Sequence, residues 1–238
     1  NLEIVEVIRE STSHGGNDSL IQQIVRLIKQ VHYEKYNISS ITIGVPGRVR
    51  NDGYVYELPN IHVSDIDFVT TFVINDAVAA GLAEAISGNG KDYSSVFFVT
   101  ISSGIGGSFF VNKKFVVSST EIGHTLFKYQ NGYYELERIA SGYGIIRLAE
   151  LNHIQLEHGY DMFIGYQNHD INLTQLYFDW LNLLHEFLAF IQSTFSPEII
   201  VFSGGVMKSA SIFFEDLKKQ NPQSKLIMAY HNQDAGLI

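Results

Sequence analysis

Several short stretches of the sequence carry residue types that could bind an anion, move a proton or hold a polyol. Ser102-Ser103-Gly104-Ile105-Gly106-Gly107 joins two apolar runs. Glycine there lets backbone N–H groups approach a phosphate without side-chain obstruction, and the same residues also make an ordinary hairpin turn. Asn75-Asp76 follows the apolar run Phe72-Val73-Ile74 and precedes an alanine-rich stretch. A carboxylate in that place can act as a general base or can cap the helix behind it. Glu121, His124 and Glu137 bring hydrogen-bonding groups suited to a ligand with several hydroxyls, and they equally suit a solvated loop.

The elements that must position these residues follow from periodicity. Leu20, Ile21, Ile24, Val25, Leu27, Ile28 and Val31 recur at helical spacing, with Asn17, Asp18 and Ser19 before them as candidate N-caps. Ile41, Ile43 and Val45 alternate as a strand that ends at Pro46-Gly47. Phe72 to Ile74 reads as a strand leading through Asn75-Asp76 into a helix from Ala77 to Ile86. Val96 to Ile101 reads as another strand, and Ser108 to Val111 as a further apolar stretch beyond the glycine turn. After a polar middle region, Leu173 to Ile191 forms a long helix that Pro197 ends. A strand from Glu198 to Ser203, a Gly204-Gly205 break, a helix from about Ser209 to Lys219 and a last strand from Lys225 to Tyr230 follow. Alternating strands and helices argue for an α/β fold with ligands beyond the carboxyl ends of its strands.

Composition narrows the function classes. At 238 residues and 45% hydrophobic content the chain can bury a substantial core. It has no cysteine, which excludes disulfides, thiolate zinc sites and a cysteine nucleophile. A formal net charge of -9 disfavours a phosphate-backbone binder, so no nucleic-acid partner is expected of these residues. No apolar run approaches the roughly 20 residues that span a bilayer, and no secretory leader pattern is present. The expected location is cytoplasmic, without membrane association.

Taken together and in order, these segments resemble the ROK family of sugar kinases and sugar-responsive repressors. Ile41-Thr42-Ile43-Gly44-Val45-Pro46-Gly47 is similar to the family's strand and Gly-x-Pro-Gly turn, and Pro59-Asn60 to its Pro-Asn signature. Asn75-Asp76-Ala77 resembles its Asn-Asp-Ala motif, and Ser103-Gly104-Ile105-Gly106-Gly107 its Thr-Gly-Ile-Gly-Gly phosphate turn. Glu121-Ile122-Gly123-His124, then Leu136-Glu137 with Ser141-Gly142, resemble Glu-Ile-Gly-His and the Leu-Glu then Ser-Gly pair. Pro197 to Val201 with Gly204-Gly205-Val206 is similar to the Pro-Glu strand and adenosine-side Gly-Gly turn.

The resemblance implies an α/β, actin-like ATPase (ribonuclease H-like) fold with two lobes and an interlobe cleft, an N-terminal lobe over 1–75 and a C-terminal lobe over 76–238. It implies ATP-dependent phosphorylation of a hexose or hexose derivative, with ATP and Mg²⁺ as cofactors. Asp76 would be the catalytic base that accepts the proton of the sugar hydroxyl. Asn60, Asn75, Glu121, His124 and Glu137 would hold the other hydroxyls, with Glu121, His124 and Glu137 converging on a pocket near Asp76. Gly104, Gly106 and Gly107 would receive nucleotide phosphates, and Gly204 and Gly205 would admit the adenosine. Mg²⁺ would bridge the phosphates with few protein ligands, and no residue is assigned as a metal ligand. A sugar and ATP are the expected partners, and a homodimer is compatible with the many aromatics.

Departures from the family pattern qualify that expectation. Family kinases open with a strand pair carrying Asp-x-Gly-Gly-Thr-Lys, whereas Asn1-Leu2-Glu3-Ile4-Val5 resembles the stretch just after it, and Gln233 to Ile238 resembles the start of the final helix. The chain is also shorter than usual between Asn60 and Asn75. The sequence is therefore read as lacking segments of a longer polypeptide, with a truncated paralogue as the alternative. Ser102-Ser103 stands where Gly-Thr is more usual, which removes one glycine from the turn. Rival readings are a sugar-sensing regulator's effector domain and a sugar-binding module without turnover. Many family members bind structural zinc through the histidine and three following cysteines, but Phe127 to Tyr133 contains none. No zinc is expected: elemental analysis of purified protein should find no stoichiometric zinc, and chelator should leave the fold intact. One tightly held zinc per chain would overturn this reading.

Overall fold

Apolar alternation and helical spacing become strands and helices largely where the pattern places them. The computed structural model describes residues 6–31, 40–50, 52–58, 61–68, 72–116 and 121–231. Its contacts divide the chain into two compact units, one up to Ala80 and the other from Gly81. The division falls inside the helix that begins at Asp76, rather than between Asn75 and Asp76.

The first unit contains α1 (Asn17–Gln30), β1 (Thr42–Val45), β2 (Arg48–Val49), β3 (Tyr54–Leu58), β4 (Val63–Asp67), β5 (Phe72–Asn75) and the start of α2 (Asp76–Ile86). β1 and β5 pair in parallel with Val45 opposite Asn75, so the Pro46-Gly47 turn lies beside Asn75. β2, β3 and β4 form an antiparallel sheet that periodicity did not announce, because strands of two to five residues carry too few repeats to read. Leu20, Val45, Val55, Leu58, Val63 and Ile66 make the core of this unit. One expectation is corrected. Asn17, Asp18 and Ser19 do not precede α1 but form its first turn, and Gly16 stands at the cap without a side-chain capping bond. The Asn17 amide instead donates to the Ser64 carbonyl at 2.7 Å, which ties the helix to β4.

The second unit continues with β6 (Ser95–Ile101), β7 (Ile105–Val111), β8 (Lys114–Phe115), β9 (Leu126–Tyr129), β10 (Gly132–Glu135), α3 (Glu137–Ala140), α4 (Gly142–Leu151), α5 (Tyr160–Gln167), α6 (Ile171–Phe195), β11 (Ile199–Ser203), α7 (Ala210–Gln220) and β12 (Leu226–Met228). Its main sheet runs β12-β11-β6-β7-β8, with the first three strands parallel and the last two antiparallel. Every residue of β11 is buried, as expected of a central parallel strand covered on both faces. The last strand is shorter than the span Lys225 to Tyr230 expected from sequence.

A buried carboxylate explains why that strand stops early. Glu84 on α2 is fully buried and accepts backbone N–H bonds from Asn89 at 3.0 Å, Tyr230 at 3.1 Å and His231 at 2.8 Å. These backbone donors satisfy acceptor oxygens that burial would otherwise leave unpaired. They also hold Tyr230 and His231 off the ladder. Among the described residues, no helix is long and apolar enough to cross a membrane.

α6 is the spine of the second unit. Trp180 is fully buried, meets Phe163 and Phe213 edge-on, and donates its indole N–H to the Ala140 carbonyl at 2.9 Å. That single side chain fastens α6 to α3, the helix that carries Glu137. Trp180→Ala is expected to cost about 3–5 kcal/mol of stability, from the cavity and the orphaned carbonyl. Urea unfolding checks this, and a loss below about 1 kcal/mol would contradict the packing described.

Candidate functional site

β6 and β11 run parallel and end together at Ile101 and Ser203, the edge where open α/β sheets hold ligands. Three backbone segments crowd there. After β6 the chain turns through residues 102–104, closed by the Ser102 N–H donating to the Gly104 carbonyl at 2.8 Å. After β11, Gly204 takes φ +104°, and a Cβ on it would lie 2.3 Å from the Ile101 carbonyl oxygen. Only glycine fits that approach. At the start of α4, Gly142 donates its N–H to the Ser102 carbonyl at 2.7 Å, and Ser141 caps the helix by accepting from the Gly144 N–H at 2.9 Å. Gly205 sits beside Ser102, whose Oγ would be 3.5 Å from an added Cβ. Ser141 and Gly142 thus join the turns at 102–104 and 204–205, a juxtaposition that spacing along the chain does not reveal.

The glycine turn is tighter than its sequence suggests. β7 begins at Ile105 rather than Ser108, and Gly106 and Gly107 lie within the ladder opposite Thr100 and Val99. Gly104 remains in the turn itself. A Cβ on Gly104 would meet Glu137 Oε2 at 2.8 Å, and the same oxygen accepts from the Ile105 N–H at 3.4 Å. The candidate phosphate turn and the candidate hydroxyl-binding residues therefore share a wall.

Behind that wall, Ile122–His124 forms a single 3-10 turn packed on the first residue of β7. A Cβ on Gly123 would come within 2.2 Å of the Ile105 carbonyl oxygen, so the turn could not sit there with any other residue. His124 follows and faces two carboxylates. Its Nδ1 is 3.4 Å from Glu135 Oε1 and its Nε2 is 3.8 Å from Glu137 Oε1. Glu135 Oε2 in turn accepts from Arg138 Nε at 2.7 Å. The interaction with His124 is the largest influence and, helped by the lesser one with Arg138, holds the Glu135 carboxyl below its ordinary range against the opposing effect of burial.

Glu121 is exposed and stands outside this group. Glu135 is the member that sequence reasoning missed, because nothing marked the β9–β10 pairing that brings it to His124. In that hairpin Glu135 lies opposite Leu126, two residues after His124. Tyr129 anchors the hairpin to α6 by donating to Asp179 at 2.6 Å, and burial followed by that bond pushes its hydroxyl up to about 12. Ligand atoms of His124, Glu135 and Glu137 lie within 4.8 Å of one another, a spacing that a divalent cation could accept. Arg138 and the Ile105 N–H already compete for the two carboxylates.

In the first unit the Asn75-Asp76 pair divides its work. Asn75 Oδ1 accepts from the Ala77 and Val78 N–H groups at 3.0 and 3.2 Å, which makes it the N-cap of α2. Its amide donates to the Gly47 carbonyl at 3.0 Å, joining the two turns that follow β1 and β5. Asp76 is exposed at the first helical position, with Oδ1 accepting from the Ala77 N–H at 2.8 Å. Asn60 lies outside the described residues, as do the stretches 1–5 and 232–238.

Comparison with known proteins adds context to this geometry. A family model described as the ROK family matches residues 1–238. The sequence is 26% identical to the xylose repressor of Bacillus subtilis over 85% of this chain, spanning 58% of the repressor's length. It is also 26% identical to the beta-glucoside kinase of Listeria monocytogenes, over 98% of this chain and 87% of the kinase. Among solved structures, the ROK hexokinase from Thermus thermophilus superposes with a TM-score of 0.78 at 22% identity, covering 95% of this chain and 85% of that one.

The cap assignment is testable without any activity. Asn75→Ala should lower stability by about 1 kcal/mol, within the range of roughly 0.5–2 kcal/mol for a lost N-cap, whereas Asn75→Asp keeps the capping oxygen but loses the amide donor to the Gly47 carbonyl and should also fall below wild type. Chemical denaturation of both variants decides it, and equal stabilities for Asn75→Ala and wild type would remove the cap.

Proposed function

From the premise that this chain belongs to the ROK family and has its actin-like ATPase, α/β fold, we propose that it is the body of a sugar kinase that phosphorylates a hexose or hexose derivative with ATP. The observation that carries this reading is the division of labour at the start of α2. Asn75 caps the helix, so Asp76 is not needed for that purpose, and its exposed carboxylate is suited to take a proton.

In this reading Asp76 accepts the hydrogen of the sugar hydroxyl that attacks the transferred phosphoryl group. Asn60, Asn75, Glu121, His124 and Glu137 bind the remaining hydroxyls by hydrogen bonds, which fix orientation better than apolar contact does. The 102–104 turn, Gly142 and the Gly204-Gly205 turn pack together by close backbone approach, and in this reading the nucleotide lies along these turns, held by backbone contacts. When bound, ATP with Mg²⁺ supplies the phosphoryl group and neutralises its charge. Catalysis then comes mainly from positioning, since phosphoryl transfer asks for little covalent chemistry from the protein.

A sugar-responsive regulator is the second reading, favoured by the identity with a xylose repressor over most of this chain. In that case the same hydroxyl-binding residues sense an effector and Asp76 contributes binding alone.

Asp76→Asn separates the two. It keeps shape and hydrogen-bonding capacity but loses basicity. In the full-length protein, the variant should bind sugar within a modest factor of wild type while turnover falls by about 10² to 10⁴. Steady-state ATP consumption across a hexose panel, paired with calorimetric sugar binding, is the measurement. Near-wild-type turnover in the variant would take Asp76 out of the mechanism. Sugar binding by the wild type without any turnover would favour the regulator.

A further inference from the structure

The hairpin of β9 and β10 places a carboxylate that nothing in the sequence motifs calls for. Glu135 ends β10, and the ladder sets it opposite Leu126. The Leu136 N–H donating to the Thr125 carbonyl at 3.0 Å closes the base of the hairpin beside His124. Because side chains alternate faces with a period of two, a one-residue slip would carry Glu135 to the opposite face. The contact between Glu135 Oε1 and His124 Nδ1 at 3.4 Å is therefore imposed by register. Arg138 engages the other oxygen, Oε2, and limits how the carboxylate can turn.

A neutral imidazole carries one hydrogen, and the partner of one ring nitrogen determines which nitrogen holds it. Glu135 can only accept when ionised, and the His124 and Arg138 contacts favour that ionised form. Its presence at Nδ1 therefore selects the ring with hydrogen on Nδ1. Nε2 is left with its lone pair, 3.8 Å from Glu137 Oε1. That distance is too long for a direct bond. It leaves two neighbouring acceptors on one wall, and such a wall fits a ligand that offers two hydroxyl hydrogens side by side.

We infer that Glu135 is a positioning residue, whose carboxylate takes the Nδ1 hydrogen of His124 and so presents Nε2, beside Glu137, as an acceptor for the hydroxyls of a polyol. The polyol part rests on the sugar-binding reading above, whereas the tautomer part does not. Glu135 touches no ligand in this account. It acts through His124.

The test reads the tautomer directly. Protein labelled with ¹⁵N-histidine is examined by long-range ¹H–¹⁵N correlation at a pH where the imidazoles are neutral. Nine histidines are present, so the His124 signals are assigned by their loss in His124→Asn. In wild type, Nδ1 should give the shift of a hydrogen-bearing nitrogen and Nε2 that of a bare one. Glu135→Gln keeps one oxygen, which the Arg138 guanidinium retains, so its NH₂ faces Nδ1 and should move the hydrogen to Nε2, reversing this pattern. Glu135→Ala should lose it. A hydrogen on Nε2 in wild type, or an unchanged pattern in Glu135→Ala or Glu135→Gln, would overturn the inference, and the Gln variant alone decides it if the Ala variant unfolds. Calorimetric titration with D-glucose is the second arm. Glu135→Ala and Glu135→Gln should each weaken binding about tenfold, the size of one lost hydrogen bond. No glucose binding by wild type counts against the hexose reading, and the tautomer signal still decides Glu135.

Discussion

Close backbone approach at the carboxyl edge of β6 and β11 is the constraint on which the larger unit depends. Gly204 brings its backbone against the Ile101 carbonyl, and Gly142 bonds the carbonyl of the next residue, Ser102. Any side chain at Gly204 would force the chain leaving β11 away from the chain leaving β6. The two turns could then no longer share a floor with the N-terminus of α4. Glycine here carries a structural obligation, because a side chain would meet backbone rather than solvent.

From that floor the second layer is built by carboxylates with different duties. Glu84 is buried and accepts from three backbone N–H groups, so it acts as a fixed internal fastener. Glu137 is part-buried, shares one oxygen with the Ile105 N–H and turns the other toward His124. Glu135 pairs with Arg138 and reaches the other side of the same ring. The three differ in burial and partners, which is why one residue type serves as fastener, as candidate ligand for hydroxyls and as an orienting group.

Trp180 and Tyr129 link this layer to the core by the same means. Each buries an aromatic body and spends its polar atom on a specific acceptor, Ala140 for the indole and Asp179 for the phenol. α6 thereby holds both α3, which presents Glu137, and the hairpin that presents Glu135. Long-range order at the site is thus set by two hydrogen bonds embedded in apolar packing.

Sequence alone determined the strands from Thr42, Phe72, Ser95 and Ile199, the helices α1, α2, α6 and α7, and the motifs around Asp76, Gly104, His124 and Gly204, because their periodicity and glycine pattern are local properties. Only the tertiary structure decided that Asn75 rather than Asp76 caps α2, since capping depends on which oxygen reaches the Val78 N–H. It likewise decided that Gly106 and Gly107 pair in a ladder, that Ser141 and Gly142 meet the turns at 102–104 and 204–205, and that Glu135 faces His124. The short strands β2 to β4 and the β9–β10 hairpin have too few residues to impose a readable period. Their partners are chosen by register and packing across the chain, and those are settled only when the chain folds.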